Sequence, residues 1–202
     1  MKRQCPSKRL VIGITGVFGS GKSTVAQIIK GWKAKLIDAD AISHNLLNKD
    51  KKVKGEIARV FPEVFNKDRI INRQRLADLV FKNSSSRKKL EKIMHPRIIK
   101  QIKKSINKIK SGLVILDAPL LFETKLNNLC DYVIVVKANQ KQIFERVKKR
   151  FCLSKGDIRA RISAQIPLRK KIAQADFIID NSGSKLHLIN QLNKLRRMLW
   201  RS

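Results

Sequence analysis

The chain has 202 residues, and its 46 Lys and Arg against 15 Asp and Glu give a formal net charge of +31. That length suits one α/β domain with insertions, or one large and one small lobe. An apolar content of 43% excludes a disordered polybasic chain, and no stretch approaches the roughly 20 apolar residues that span a bilayer.

In chain order, Met1-Lys2-Arg3 and Lys8-Arg9 ahead of apolar Leu10–Phe18 imitate the charged head and short apolar segment of a secretory signal. No small-x-small cleavage site closes the segment, which runs directly into Gly19-Ser20-Gly21-Lys22-Ser23-Thr24. Leu10–Thr15 predicts a first strand, and the periodicity from Lys22 to about Lys30 a helix stopped by Gly31. Lys35–Asp38 predicts a second strand. Residues from about Ala41 to Lys110 are expected to be mostly helical, with turns at Pro62 and near Asn66–Asp68. Leu113–Asp117 and Tyr132–Val136 predict strands three and four. Asn139 is placed to cap a helix reaching about Arg150. Phe177–Asp180 predicts the fifth strand, and Leu188, Leu192, Leu195 and Leu199 form one stripe of a last helix. Apolar runs rich in β-branched residues that alternate with helical segments define an α/β class, a parallel sheet covered by helices.

Cys5, Cys130 and Cys152 are odd in number and widely spaced, which points away from a disulfide framework or a zinc site and toward the reducing cytosol. The charge alone assigns no function. Thirty of the 46 basic residues are Lys, scattered from end to end, and aromatics at 5% offer little for base stacking. Without zinc-finger spacing or an RNA-binding signature, the expected interaction with nucleic acid is nonspecific and salt-sensitive.

Gly16-Val17-Phe18-Gly19-Ser20-Gly21-Lys22-Ser23 satisfies G-x-x-x-x-G-K-[ST] at every fixed position, between a predicted strand and a predicted helix. Glycines let successive backbone N–H groups converge on phosphate oxygens, and the helix N-terminus adds positive potential. Lys22 is expected to neutralise phosphate oxygens, the Ser23 hydroxyl to coordinate Mg²⁺, and Thr24 to hydrogen-bond the remaining phosphates. The motif implies ATP and Mg²⁺ and leaves the phosphate acceptor open.

Asp38-Ala39-Asp40 closes the second strand. In a doubly wound sheet such strand ends face the ligand crevice. Asp40 is the candidate base for an acceptor hydroxyl, with Asp38 supporting it or a metal-bound water; helix capping is an equal reading on spacing alone. Asp117, ending an apolar strand, stands where a second metal-orienting acid would sit. Arg146, Arg150, Arg159, Arg161 and Arg169 follow the fourth strand, either as a flap over the triphosphate or as a solvated basic surface.

Along nearly its whole length the chain resembles the dephospho-coenzyme A kinase family. The resemblance rests on the phosphate loop, Ile37-Asp38-Ala39-Asp40, Arg73 with Leu76, and Leu90-Glu91-Lys92-Ile93-Met94-His95-Pro96. It continues through Pro119-Leu120-Leu121-Phe122-Glu123, Arg146 and Arg150, Arg161–Gln165, Ala175-Asp176 and Ile179–Gly183. It implies ATP-dependent phosphorylation of the ribose 3′-hydroxyl of dephospho-coenzyme A. The fold implied is a P-loop kinase core with a five-stranded parallel sheet, a helical acceptor lobe near residues 60–110 and a lid near 151–169. Asp40 takes the catalytic-base position beside Lys22. Gly19–Thr24, Arg150 and Asn181 fall on the ATP side, with Ser23 and Asp38 toward the metal. Arg73, His95, Arg97, Arg146 and Arg161 fall on the acceptor side. His95 reads equally as a helix-breaking His-Pro corner, and Asn181 as a turn residue with Gly183. The protein is expected in the cytoplasm as a monomer, acting on dephospho-coenzyme A and not on specific nucleic acid or membranes.

The chain departs from the family pattern at Val17, where a glycine is common, at Asn72 before Arg73, at Pro62-Glu63, and at Arg169-Lys170, where acids often occur. Two other readings share the phosphate loop: a nucleoside or nucleotide kinase, and an ATPase acting on nucleic acid.

Overall fold

Strand β1 (Arg9–Thr15) is apolar without alternation because both of its faces are covered, as a central parallel strand requires. The computed structural model describes residues 8–151 and 153–199. The charged start Met1–Arg3, Cys5 and Cys152 therefore lie outside the described residues. β1 is flanked in parallel by β3 (Gly112–Asp117) and β4 (Tyr132–Lys137), and β4 pairs in parallel with β5 (Phe177–Asp180). With β2 (Lys35–Asp38) beside β3, the five-stranded sheet has the order β2-β3-β1-β4-β5. Each strand lies within a residue of its predicted bounds.

Register brings the carboxyl ends of the inner strands to one edge: Ile14 lies opposite Asp117, Thr15 opposite Val135, and Lys137 opposite Asp180. Gly13 permits close packing behind that edge, since a Cβ there would lie 2.8 Å from both Cys130 Sγ and Leu121 Cδ2. One face of the sheet, carrying Ile12, Ile14, Ile115 and Val136, is covered by helix α1 (Lys22–Lys30) through Val25, Ala26 and Ile29. The C-terminal helix, Lys185–Leu199, lays its predicted leucine stripe on the same cluster.

The chain divides into two compact units, one comprising residues up to Ile37 and from Ser105 onward, the other Asp38–Lys104. The second unit is helical. Its elements are α2 (Ala39–Lys49), α3 (Lys51–Val60), α4 (Arg73–Lys82) and most of α5 (Ser84–Asn107). Asp38, Asp50 and Asn72 cap the first three of these through their side chains. Val53, Ile57, Phe61, Leu76, Val80, Ile93 and Met94 form its core.

α5 is helical as expected, and the alternative reading of His95-Pro96 as a corner is not met: Pro96 lies inside the helix. Proline's fixed φ is helical, so it deletes one hydrogen bond without reversing the chain. Burial of Ile93 and Met94 in the unit's core holds the helix across that gap.

In the first unit, α6 (Gln140–Phe151) follows β4, with Asn139 accepting from the Lys141 N–H at its start. Helices α7 (Lys155–Ser163) and α8 (Leu168–Ile172) come next. A reciprocal capping box between Ser154 and Asp157 opens α7. The C-terminal helix is α9 (Lys185–Leu199).

Candidate nucleotide site

The phosphate loop leaves β1 at Gly16 and enters α1 at Gly21, and its glycines carry positive φ: 153° at Gly16, 81° at Gly19 and 92° at Gly21. Space demands glycine as strongly as conformation does. A Cβ on Gly16 would lie 2.3 Å from the Val136 carbonyl oxygen, and one on Gly21 would lie 2.1 Å from Asn181 Nδ2. The Ser20 N–H closes a turn onto the Val17 carbonyl at 3.1 Å. α1 begins with no side-chain cap and no acidic residue in its first turn, so the protein does not compensate the positive end of the helix. That leaves an anion-binding terminus.

Lys22 is buried at 8% exposure, and Ser23 and Thr24 are exposed at the start of α1. Asp117 is buried at 6% at the end of β3, the neighbour of β1.

Asn181 holds the loop from across the sheet. Its buried side chain donates from Nδ2 to the Ser20 carbonyl at 2.9 Å. Asn181 is thus in direct contact with the phosphate loop. Arg146 joins it: Nη2 donates to the Asn181 carbonyl at 2.9 Å, and Nη1 is buried without a hydrogen-bond partner. Arg146 Nη1 also lies 3.9 Å from where a Gly21 Cβ would stand. Arg146, expected on the acceptor side, is thus hydrogen-bonded to Asn181 and Gln142 beside the phosphate loop. Ser182 extends this wall, accepting from the Asn139 N–H and from Gln142 Nε2. Asp180 is tied to Lys137 at 3.1 Å, and its bond with Ser182 holds the carboxyl below its usual range despite partial burial.

Phe18 connects the loop to the helices after α6. Its N–H donates to Gln165 Oε1 at 2.9 Å, its ring lies 5.7 Å from that of Phe151, and the Arg161 guanidinium stands 5.3 Å above it. Val17 packs with Ile143, Val147 and Ile158. The departure at Val17 thus supplies apolar contacts to α6 and α7. Arg150 is exposed, 5.1 Å from the Phe151 ring, and Arg159 and Arg169 are exposed.

Sequence reasoning missed the pair behind the loop. Lys171 is fully buried, with Nζ donating to Glu123 Oε1 at 2.9 Å and to the Pro119 carbonyl at 2.8 Å. Burial pushes its ammonium below the usual lysine range, against the opposing bond to Glu123. No local signal marked Lys171, because Arg169-Lys170-Lys171 reads as one more basic surface run. Cys130, also away from the loop, is inert: burial first and the neighbouring Asp131 second push its thiol up to about 12.

In the second unit, Asp38 Oδ1 accepts from the Ala41 N–H at 3.0 Å, so this acid caps α2. Asp40 is exposed in the first turn of α2, two residues past the end of β2. Arg73 hydrogen-bonds His44, a residue the sequence reading left unassigned. Arg97 bonds the Ile93 carbonyl at 2.7 Å and forms an ion pair with Glu56. His95, on the same helix, is half-buried. Among the described residues, no three His, Cys, Asp or Glu are grouped to hold a metal.

An uncapped glycine loop at the carboxyl edge of a five-stranded parallel sheet, with a buried lysine at its end, defines a P-loop nucleotide-binding protein of the kinase type. A family profile described as dephospho-CoA kinase matches residues 10–187, and the chain belongs to that family. A dephospho-CoA kinase from Bacillus cereus is 38% identical over 91% of this chain and 94% of its own length. The crystal structure of a Thermus thermophilus protein is 32% identical, with a TM-score of 0.80 over 96% of this chain and 99% of that one. The dephospho-CoA kinase structure from Campylobacter jejuni is 27% identical, with a TM-score of 0.61 over 96% and 99% of the two chains.

Proposed function

We infer that this chain transfers the γ-phosphoryl group of ATP to the ribose 3′-hydroxyl of dephospho-coenzyme A, giving coenzyme A and ADP, the last step of coenzyme A biosynthesis. The observation that carries the inference is an intact phosphate loop, clamped by Asn181, in a chain matched by the family from residue 10 to residue 187.

The chemistry asks little covalent work of the protein. Backbone N–H groups of Gly19–Thr24 and the Lys22 ammonium hold the β- and γ-phosphates, and Arg146 and Asn181 flank them from the β5 side. Arg150 and Arg161 add positive charge from α6 and α7. Asp40 accepts the proton of the 3′-hydroxyl as its oxygen bonds to the γ-phosphorus and the bond to the β-phosphate oxygen breaks. Arg73, His95 and Arg97 take the anionic end of dephospho-coenzyme A. Residues 60–110 serve as acceptor lobe and 151–169 as lid, and the protein works in the cytoplasm as a monomer.

A nucleotide-bound Mg²⁺ takes most of its ligands from phosphate and water, so the absence of a described three-ligand cluster fits it. Ser23 and buried Asp117 would hold it, with Asp38 supporting a bound water. When bound, it neutralises charge on the phosphate oxygens.

The test is purified protein with Mg²⁺ and ATP, with and without dephospho-coenzyme A, following ADP and the 3′-phosphorylated product by mass spectrometry. Lys22→Ala should lower turnover by at least about 100-fold, as removal of a charge-stabilising donor does. Asp40→Asn should lower it by roughly 100- to 10,000-fold with ATP affinity kept. An Asp40→Asn enzyme of near wild-type rate would remove Asp40 from the mechanism, and RNA-stimulated ADP release without product would favour an ATPase acting on nucleic acid.

A further inference from the structure

The buried Lys171–Glu123 pair has no part in the chemistry above, yet its contacts lead to the phosphate loop at two places, just before Gly16 and at Phe18. Pro119 presents one carbonyl to two donors, Lys171 Nζ at 2.8 Å and Thr15 Oγ1 at 3.1 Å. Thr15 is the last residue of β1, immediately before Gly16. On the other side, Glu123 Oε1 receives both Lys171 Nζ at 2.9 Å and the Ile166 N–H at 2.9 Å. The residue next to Ile166 is Gln165, whose Oε1 accepts the Phe18 N–H at 2.9 Å. One ammonium thus closes a ring of contacts: Thr15, Pro119, Lys171, Glu123, Ile166, Gln165, Phe18.

Stability is a poor reason for this arrangement. An ion pair at 0% and 15% side-chain exposure gives back in desolvation much of what it gains by attraction. Glu123 Oε2 is also left buried without a hydrogen-bond partner, which a purely structural pair would have little reason to retain. What the pair does supply is geometry. Two directional hydrogen bonds from one fixed ammonium tie α8 to the loop after β3, Glu123 ties that loop to the α7–α8 junction, and the Gln165 side-chain amide is carried on that junction.

We propose that Lys171 is a positioning residue for the nucleotide: through Pro119, Glu123 and Gln165 it holds the phosphate loop in its ATP-binding conformation. Phe18 sits in the variable part of the loop, and its N–H bond to Gln165 adds a backbone restraint to the side-chain packing of Val17 and Phe18. The inference rests on the nucleotide site and not on the identity of the acceptor.

The experiment is calorimetric titration of ATP with Mg²⁺ into wild-type protein, Glu123→Gln/Lys171→Met, Gln165→Ala and the triple variant, with thermal midpoints recorded for each. Lys171→Met alone strands a buried carboxylate and is expected to fold poorly. The paired exchange removes both charges and keeps an amide oxygen for the Ile166 N–H. Folded Glu123→Gln/Lys171→Met should bind ATP about tenfold more weakly, within what a sub-ångström displacement of a binding loop produces. Gln165→Ala, which leaves the pair intact, should weaken ATP in the same direction. The triple variant should be little worse than the paired exchange, because both act through one bond. In steady state, the KM for ATP should rise while the KM for dephospho-coenzyme A stays within about twofold, a split that general loss of structure would not produce. ATP affinity within twofold of wild type in the folded paired variant, or in Gln165→Ala, would overturn the proposal, as would full additivity in the triple variant. If wild-type protein binds ATP without phosphorylating dephospho-coenzyme A, the kinase reading fails while this comparison still stands.

Discussion

Gly21 and Asn181 show how much one atom decides in the phosphate loop. A methyl group on Gly21 would stand 2.1 Å from Asn181 Nδ2, at a residue whose φ is 92°. Gly21→Ala therefore strains the backbone and displaces the amide that holds the Ser20 carbonyl. Asn181→Ala removes the same bond without the clash and leaves a buried carbonyl unpaired, at about 1–3 kcal/mol of stability. Gly21→Ala should weaken ATP more than Asn181→Ala does. The double variant should bind ATP better than the sum of the two losses predicts, because the clash is gone. Calorimetric ATP titration with urea midpoints on the three variants checks this, and simple additivity would mean that the two residues do not act on each other. The glycines and Lys22 were legible from sequence because their spacing is local and each has a backbone reason. Asn181 was set on the ATP side by the family resemblance alone, since its partner lies 161 residues away and an Asn before Ser-Gly is an ordinary turn. Lys171 was illegible for a different reason: nothing in a short basic helix distinguishes a buried cation from its exposed neighbours.

At the level of elements, sequence reading worked wherever period and cap agreed. The leucines of α9 recur on one helical stripe and all four are buried. The strands are continuous apolar runs bounded by turn residues, and Gly31 ends α1 as expected. At Pro96 the expected helix is present and the rival reading of a His-Pro corner is not met, because burial of Ile93 and Met94 carries the helix across the proline. The proline carries its own prediction. Proline in a helix interior costs about 3 kcal/mol, partly offset by the roughly 0.4–1 kcal/mol it removes from unfolded-chain entropy. Pro96 is exposed, so alanine there buries no new surface and restores an N–H to the ladder. Pro96→Ala should raise the urea-derived stability by about 2 kcal/mol. An unchanged or lowered midpoint would show that the helix needs the proline's local geometry, as it would if Arg97, bonded to the Ile93 carbonyl, depended on it.

For the molecule as a whole, 46 cations against 15 carboxylates cannot be paired one to one, and the surplus repels itself. The same surplus attracts ATP and dephospho-coenzyme A, both of which are polyanions. Salt separates the two effects because it acts on them with opposite consequences. The Debye length falls from about 10 Å at 0.1 M to about 3 Å at 1 M, so added salt relieves repulsion and weakens attraction together. Between 0.05 and 0.5 M KCl the thermal midpoint should rise by roughly 2–4 °C, equivalent to about 1 kcal/mol in a chain of this length. Over the same range the KM for each substrate should rise at least about twofold with kcat nearly constant, since a field that concentrates anions acts before the chemical step. Binding of a random RNA should fall far more steeply with salt than either KM rises, because many phosphates release counterions together. A KM that is flat in salt while the midpoint rises would mean that the charge burdens the fold without serving the substrates. A KM that climbs would mean that the lysines scattered along the chain work as one collector for the phosphate loop.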